Sequence, residues 1–223
     1  MRLTFRGHDD RYAIEQSLLA FFPDERPVYE GETGDSHAEV TLREGKTYAV
    51  GITELTYGGK TARGEARVRI TGVSDEYKRE RLRQRALKLS FFRAARDVTG
   101  VTPSWGALTG IRPAKLVRSM LEEGMTPGQA DRILRDTYCV SPARRRLALE
   151  SAEAGLRAKR DLRPEEISLY VGIPFCPTRC AYCSFVSASV EKSFSLMEPY
   201  LAALAEEITA AGRMVKEAGL RIK

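Results

Sequence analysis

Three cysteines near the end of the chain are spaced as C-x₃-C-x₂-C. They are Cys176, Cys180 and Cys183. Three thiolates can hold three irons of a four-iron cube and leave the fourth iron open, whereas a cluster that only transfers electrons is usually held by four cysteines. An open iron can bind a small molecule. The spacing therefore indicates an iron–sulfur cluster that takes part in chemistry.

The residues around the cysteines predict a strand before them and a helix after them. The stretch Ile167–Ile173 is short and rich in β-branched and aromatic residues, which is typical of a buried strand, and Pro174 ends it. A helix is predicted from about Ser195 to Ala218, where Gly219 is a suitable stop. Its apolar face carries Leu201, Leu204, Ala205 and Ile208. The cysteines thus follow the carboxyl end of a strand, where α/β folds build their sites.

Two other roles for the cysteines are open. Thiolates also bind zinc, but usually in paired C-x₂-C sets, and the fourth ligand would have to come from a distant part of the sequence: His8, His37 or Cys139. A disulfide framework is less favoured, because the chain has four cysteines and no apolar secretory segment. This cysteine usage is typical of a reducing compartment, so we expect a cytoplasmic protein.

The cysteine motif and several other stretches resemble a known family. The motif follows Tyr170-Val-Gly-Ile-Pro-Phe175, and together they are similar to the radical S-adenosylmethionine enzymes, in particular to the oxygen-independent coproporphyrinogen III oxidase-like group. Three further stretches are similar to the coproporphyrinogen dehydrogenase branch, which carries an extra N-terminal region. They are Gly7-His8-Asp9, Phe21-Phe22-Pro23 and Trp105-Gly-Ala-Leu-Thr-Gly-Ile-Arg-Pro113. The resemblance covers nearly the whole chain.

The resemblance implies a role for each residue of the motif. Cys176, Cys180 and Cys183 would ligate a [4Fe–4S] cluster whose open iron chelates S-adenosylmethionine. Tyr170 matches a family position that contacts this cofactor, and Tyr182 matches the aromatic position that packs near its adenine. The resemblance assigns no residue of this chain a catalytic role beyond these.

The resemblance also implies a reaction and its partners. One electron from a low-potential donor, of the flavodoxin or ferredoxin type, would reduce the cluster and cleave S-adenosylmethionine to a 5′-deoxyadenosyl radical. The radical would remove a hydrogen from a propionate of coproporphyrinogen III, and oxidative decarboxylation would leave a vinyl group in haem biosynthesis. The expected partners are therefore this porphyrinogen and the electron donor, with no membrane partner.

Two positions depart from the best-known oxidases of the family. These have a histidine where this chain has Gly172, and a further cysteine where it has Phe185. Related proteins with the same cysteine motif act as haem-trafficking proteins. A haem-trafficking relative without decarboxylase activity, or a protein that binds zinc and RNA, therefore remains an alternative to the oxidase.

Far fewer residues follow Ile167 than a barrel needs. A complete (β/α)₈ barrel takes about 250 residues, whereas the chain continues only to Leu220-Arg-Ile-Lys223, which is predicted to begin a second strand. We therefore expect a C-terminally truncated chain that is inactive by itself. The strand at Ile167–Ile173 would lack parallel partners, and the helix after the cysteines would lack a sheet to cover.

The predicted fold class is α/β, the start of a radical S-adenosylmethionine barrel preceded by an α+β domain and a helical linker. Residues 1–72 are predicted to be the α+β domain, 73–166 the helical region and linker, and 167–223 the first βα unit. The predicted strands are Arg2–Phe5, His37–Leu42, Thr47–Thr56 and Glu65–Ile70, with turns predicted at Glu44-Gly45 and Gly58-Gly59. The predicted helices are Tyr12–Phe22, Asp75–Val98, Pro113–Glu123, Gly128–Tyr138 and Pro142–Lys159. On the helix Asp75–Val98, the inward residues are predicted to be Leu87, Phe91, Ala94, Ala95 and Val98.

The chain is basic, with a net charge of +6 and a pI of about 9.2. Many of the basic residues lie on the predicted helices: Lys78, Arg79, Arg81, Arg83, Arg85, Lys88, Arg93, Arg96 and Arg144–Arg146. They fit a solvated helix face, attraction of a tetracarboxylate porphyrinogen, or, as the less favoured interpretation, nucleic-acid binding. Trp105 and Arg112 are predicted to dock the N-terminal region on the barrel or to reach a substrate, and docking is preferred.

Overall fold

The computed structural model describes residues 1–31, 34–109, 112–178 and 185–223. The chain forms two compact units, unit 1 from Met1 to Leu156 and unit 2 from Arg157 to Lys223. The architecture is mixed α/β, which agrees with the predicted class. The predicted division at residues 72 and 166 stays a prediction.

The described part of unit 1 contains a four-stranded sheet in the order β1-β2-β3-β4. Its first two strands are parallel and the other pairs are antiparallel. The turn between β3 and β4 is made by Gly58 and Gly59, both with positive φ, as the sequence predicted. All four predicted strands are confirmed, and β4 begins five residues earlier than expected. The strands are β1 Arg2–Arg6, β2 His37–Glu44, β3 Tyr48–Tyr57 and β4 Lys60–Arg69.

The predicted helices of unit 1 are confirmed within two residues at each end. Helix α2 begins after Asp75, whose carboxylate accepts hydrogen bonds from the backbone N–H groups of Tyr77 and Lys78 at 2.9 and 3.2 Å, and ends at Gly100, which has a φ of 70°. Thr126 and Gln129 form a capping box at the start of α4. The helices are α1 Arg11–Phe21, α2 Glu76–Thr99, α3 Pro113–Glu122, α4 Pro127–Asp136 and α5 Pro142–Arg160.

Helix α2 packs on β3 and β4, and its inner face supplies five buried residues of the first core. This face is spaced at three- and four-residue steps and carries Leu87, Phe91, Ala94, Ala95 and Val98, all buried. They pack with side chains of β1, α1, β2 and β3: Leu3, Ile14, Leu18, Val40 and Leu55. A second core joins α2 to α3, α4 and α5 through Leu89, Phe92, Val117, Leu134 and Ala148.

Two glycines let α2 approach the sheet closely. A Cβ atom at Gly51 of β3 would lie 2.4 Å from the carbonyl oxygen of Ala86, and one at Gly64 of β4 would lie 2.0 Å from that of Ser90. Both distances are far below van der Waals contact, so only glycine fits at this separation. Beside them, the Thr53 hydroxyl lies 2.9 Å from the Ser90 hydroxyl, which donates to the Leu87 carbonyl at 2.8 Å.

Unit 2 is built from short pairings and one long helix. Strand β5 (Glu166–Ile167) pairs in parallel with β8 (Arg221–Ile222), and β6 (Phe175–Cys176) pairs in parallel with β7 (Ala188–Ser189). Helices α6 (Val190–Ser193) and α7 (Met197–Glu217) lie between β7 and β8 in the sequence. Helix α7 confirms the helix predicted from about Ser195 to Ala218. The second strand predicted at Leu220–Lys223 is confirmed as β8.

The predicted strand Ile167–Ile173 is wrong beyond Ile167. Residues 168–174 have no strand conformation, because β8 pairs only with Glu166 and Ile167 and no other described strand lies beside them. A strand is stable only when a neighbour accepts its backbone hydrogen bonds. The side chains of Tyr170, Val171 and Ile173 are exposed as a result.

The apolar face of α7 is also exposed. Leu201 and Ile208 of this face are 54 % and 44 % accessible, and no described side chain of unit 2 is buried. An amphipathic helix normally covers another apolar layer, so the described part of unit 2 does not supply the partner that this face requires. Among the described residues, no helix is long and apolar enough to cross a membrane.

We predict that Gly64→Ala destabilises unit 1 by roughly 1–3 kcal/mol or more, because the added methyl group pushes α2 away from β4. Gly155→Ala is the matched control. Gly155 lies within α5 with no atom within 4 Å of its ideal Cβ position, so the same change should stabilise the chain by about 0.5–1 kcal/mol.

Urea unfolding followed by circular dichroism measures both free energies. Equal effects of the two substitutions would contradict the close approach of α2 to the sheet.

Candidate functional site

The stretch that carries the cysteines is joined at its two ends by a parallel pairing. Cys176 ends β6 and pairs with Ser189 of β7, and the backbone N–H of Ala188 donates to the Pro174 carbonyl at 2.7 Å. The sequence between these strands, residues 177–187, contains Cys180 and Cys183. The pairing therefore fixes where this cysteine segment (residues 176–187) leaves and rejoins the rest of unit 2.

Cys176 is the predicted ligand that the structure describes. Its side chain is half-buried, and its thiol donates a hydrogen bond to the Thr178 carbonyl at 2.7 Å. Metal binding requires a thiolate, so this proton would have to leave and the contact with Thr178 would be replaced. Cys180, Tyr182 and Cys183 lie outside the described residues, and their roles stay predictions.

Tyr200 of α7 holds the backbone that precedes Cys176. Its hydroxyl donates to the Gly172 carbonyl, and its ring meets the ring of Phe175 edge-on, with centroids 5.3 Å apart. The contact replaces one of the backbone hydrogen bonds that a sheet neighbour would otherwise make. The sequence did not predict this contact, because its two partners are 28 residues apart.

Tyr170, the other predicted cofactor residue that the structure describes, is 87 % exposed. A Cβ atom at Gly172 would lie 3.4 Å from the Tyr170 ring. A side chain at position 172 would therefore lie in van der Waals contact with this ring. The exposed ring is free to contact a ligand, and its cofactor role stays a prediction.

His8 is a structural residue of unit 1. One ring nitrogen lies 3.1 Å from the Val40 carbonyl, to which it donates, and the other accepts from the backbone N–H of Asp10 at 3.2 Å. Protonation would convert the accepting nitrogen into a second donor, which would face the backbone N–H of Asp10 and break this hydrogen bond. Burial lowers the pKa of His8 below 6.5, against the opposing effects of Val40 and Asp10.

The residues predicted as a fourth zinc ligand make other contacts within unit 1. Both nitrogens of His8 are already used, and Cys139 packs against the second core with a φ of 55°. His37 lies 3.3 Å from the Gly34 carbonyl through its Nδ1. In the part of the chain that the structure describes, no three His, Cys, Asp or Glu side chains form a metal-binding group.

Unit 1 contains a cavity of about 890 Å³ between α1, α2 and α3. Arg112 lines it, whereas Trp105 packs against the second core with the Arg144 guanidinium 5.5 Å from its ring centre. Gly110 and Ile111, from the same predicted stretch, lie outside the described residues. The predicted docking role of Trp105 and Arg112 stays a prediction.

Comparison with known proteins supports the family that the cysteine motif resembles. The chain is 37% identical over 126 residues to the oxygen-independent coproporphyrinogen-III oxidase-like protein HemZ of Bacillus subtilis (strain 168). The similar region covers 56% of this chain and 25% of HemZ, so the match spans about a quarter of that relative's length. No family model and no solved structure matches the chain.

We predict that His8→Gln flattens the pH dependence of stability on the acid side. Because the folded chain holds the pKa of His8 below 6.5, the unfolded chain takes up a proton more readily. The stability that His8 contributes is therefore full above about pH 6.5 and is lost as the pH falls through its lowered pKa. Glutamine keeps a donor and an acceptor without titrating.

The free energy of unfolding measured between about pH 7.5 and 5 tests this. His37→Gln, at a partly exposed position, is the control. An unchanged slope in the His8 variant would contradict the assignment.

We predict that Tyr200→Phe loosens the segment before Cys176. Loss of one hydrogen bond, worth about 1 kcal/mol, should speed amide hydrogen exchange of residues 170–176 roughly fivefold. Thr209→Val is the matched control, since it removes a hydroxyl from the same helix that bonds only the Ala205 carbonyl. Equal exchange rates in the two variants would show that Tyr200 does not hold this segment.

Proposed function

We propose that this chain, a relative of the oxygen-independent coproporphyrinogen-III oxidase-like proteins, carries the cluster-binding start of a radical S-adenosylmethionine enzyme. Its main support is the cysteine segment, where three thiols lie in a stretch whose ends are joined by the β6–β7 pairing. Cys176, Cys180 and Cys183 are the proposed ligands of a [4Fe–4S] cluster. A set of three cysteines fits a four-iron cluster with one open iron. It fits structural zinc less well, because structural zinc usually has four protein ligands.

The residues of the segment would hold the cluster and its cofactor. When bound, the cluster and S-adenosylmethionine together supply a 5′-deoxyadenosyl radical. Cys176 would lose its thiol proton and its contact with Thr178, while Tyr200 holds the backbone before Cys176 through Gly172 and Phe175. The exposed ring of Tyr170 is available to contact the cofactor, and Tyr182 is proposed to pack near its adenine.

The arrangement of unit 2 fits the first βα unit of a barrel. Strand β5 precedes the cysteine segment, α7 follows it, and β8 returns parallel to β5, which is the order of a βαβ unit. The exposed apolar face of α7 is the face that such a helix packs on the sheet. We infer that further strands cover it in a longer protein.

The proposed reaction is the oxidative decarboxylation of coproporphyrinogen III to protoporphyrinogen IX in haem biosynthesis. This makes the longer protein an oxidoreductase whose partners are the porphyrinogen and a low-potential electron donor of the flavodoxin or ferredoxin type. The name of the HemZ relative, an oxygen-independent coproporphyrinogen-III oxidase-like protein, supports the substrate class. We propose a cytoplasmic location on the cysteine usage alone, and the inactivity of this chain by itself stays a prediction.

We predict that Cys176→Ala abolishes cluster binding, whereas Cys139→Ala leaves it intact. Removal of a direct ligand should lower iron affinity at least tenfold, while Cys139 is a free thiol packed against the second core of unit 1. The measurement is iron, sulfide and zinc content after anaerobic reconstitution of the whole chain. Zinc without iron, or an equal loss of iron in both variants, would reject the cluster.

The reaction itself is tested on a longer protein that continues beyond Lys223. Under anaerobic conditions with a reductant, S-adenosylmethionine and coproporphyrinogen III, we expect protoporphyrinogen IX. Formation of 5′-deoxyadenosine without protoporphyrinogen would favour the haem-trafficking alternative.

A further inference from the structure

We infer that the cavity between α1, α2 and α3 of unit 1 binds a small organic polyanion, a molecule with an apolar body and two or more carboxylate or phosphate groups. The site lies wholly within unit 1, away in sequence from the cysteine segment. It therefore does not rest on the proposed cluster chemistry.

The cavity is lined by an excess of positive charge. Among the described residues that line it, six are basic and two, Asp9 and Asp10, are acidic. The basic residues come from three helices and their caps: Arg11, Arg81, Arg85, Lys88, Arg112 and Lys115. Arg81, Arg85 and Lys88 are separated by four and three positions, which places them on one face of α2.

The acidic residues leave most of this charge unpaired. Asp10 accepts a hydrogen bond from the Gln84 side chain at 3.1 Å, and it attracts Lys88 electrostatically. The structure gives Arg112 and Lys115 no side-chain hydrogen bond or ion pair with any described residue, and both are exposed at the cavity. An anionic ligand would therefore meet free guanidinium and ammonium groups rather than displace existing partners.

Two further donors on α2 lie deeper. The Nε atom of Arg85 is buried and has no hydrogen-bond partner among the described residues, and the guanidinium lies 5.0 Å from the centre of the Tyr138 ring. Lys88 is half-buried, and its Nζ donates to the Thr109 carbonyl at 3.0 Å, which uses one of its three N–H groups. A buried donor without an acceptor is unfavourable, so the Arg85 side chain gains if it turns a donor towards a ligand oxygen.

The rest of the lining is apolar. Leu82, Leu89, Ala107, Leu108 and Leu116 face the cavity together with the Tyr138 ring. A volume of about 890 Å³ lies within the range of roughly 300–1,000 Å³ that holds one small organic molecule. Single-stranded nucleic acid is instead held along extended basic grooves by successive stacked bases. A small molecule with an apolar body and charged groups at its edge therefore fits this apolar and basic cavity better than single-stranded nucleic acid does.

The test titrates the whole chain with two fluorescent probes. Coproporphyrin III carries four carboxylates on a flat ring, and N-methylanthraniloyl-ATP carries a triphosphate on a nucleoside. Binding of the first only would indicate a carboxylate ligand, and binding of the second only a phosphate ester. Either result supports the site, and so does binding of both, provided that the cavity variants weaken it.

The variants compare equal losses of charge inside and outside the cavity. In Arg112→Met/Lys115→Met, two exposed lining residues change, and neither side chain caps α3. The control, Lys78→Met/Arg132→Met, removes the same charge from exposed residues that do not line the cavity. We expect the cavity pair to raise the Kd at least about tenfold, as the loss of two charge-assisted contacts implies, and the control pair less than about twofold.

Three results would overturn the site. The first is that neither probe binds. The second is an equal weakening by both pairs of substitutions, which would reflect net charge alone. The third is that a single-stranded RNA oligomer binds more tightly than either probe and is weakened equally by both pairs, which would indicate a nucleic-acid surface. Circular dichroism of each variant confirms that it is folded before titration.

Discussion

Unit 1 depends on the close contact between α2 and the sheet. Gly51 and Gly64 remove the side chains that would hold the helix away, so Leu87, Phe91 and Ala94 reach the sheet core. The same contact fixes how α2 is rotated about its axis. A neighbouring side of α2 presents Arg81, Arg85 and Lys88 to the cavity beside α1 and α3. Helix α2 thus contributes both to the hydrophobic core of unit 1 and to the lining of its basic cavity.

Unit 2 has no comparable core within its described residues. Its order comes from two short parallel pairings and from the contacts of Tyr200 with Gly172 and Phe175. These hold the segment around Cys176, while the apolar face of α7 remains exposed. Few contacts position this site, so a layer that covers the apolar face of α7 would make it more rigid. A bound metal would do the same, because metal binding contributes directly to the free energy of folding.

The sequence predicted the elements whose signal is local. The three- and four-residue spacing located the buried face of α2, and the turn at Gly58–Gly59 located the β3–β4 hairpin. Prediction from the sequence failed where an element or a site depends on contacts between segments that are distant in the sequence. Residues 168–173 look like a strand but lack a neighbour, and the basic cavity requires three helices that are separate in sequence. The cysteine spacing predicted a candidate site, whereas its support by Tyr200 came only from the structure.

Cys176, Cys180 and Cys183 are proposed to hold a four-iron cluster with one open iron. Mössbauer spectroscopy of the whole chain, reconstituted anaerobically with isotopically enriched iron, distinguishes this cluster from one with four thiolate ligands. We expect one cluster in which a single iron differs from the other three, because it lacks a thiolate ligand. Four equivalent thiolate-bound irons, or a chain that takes up zinc and no iron, would contradict it.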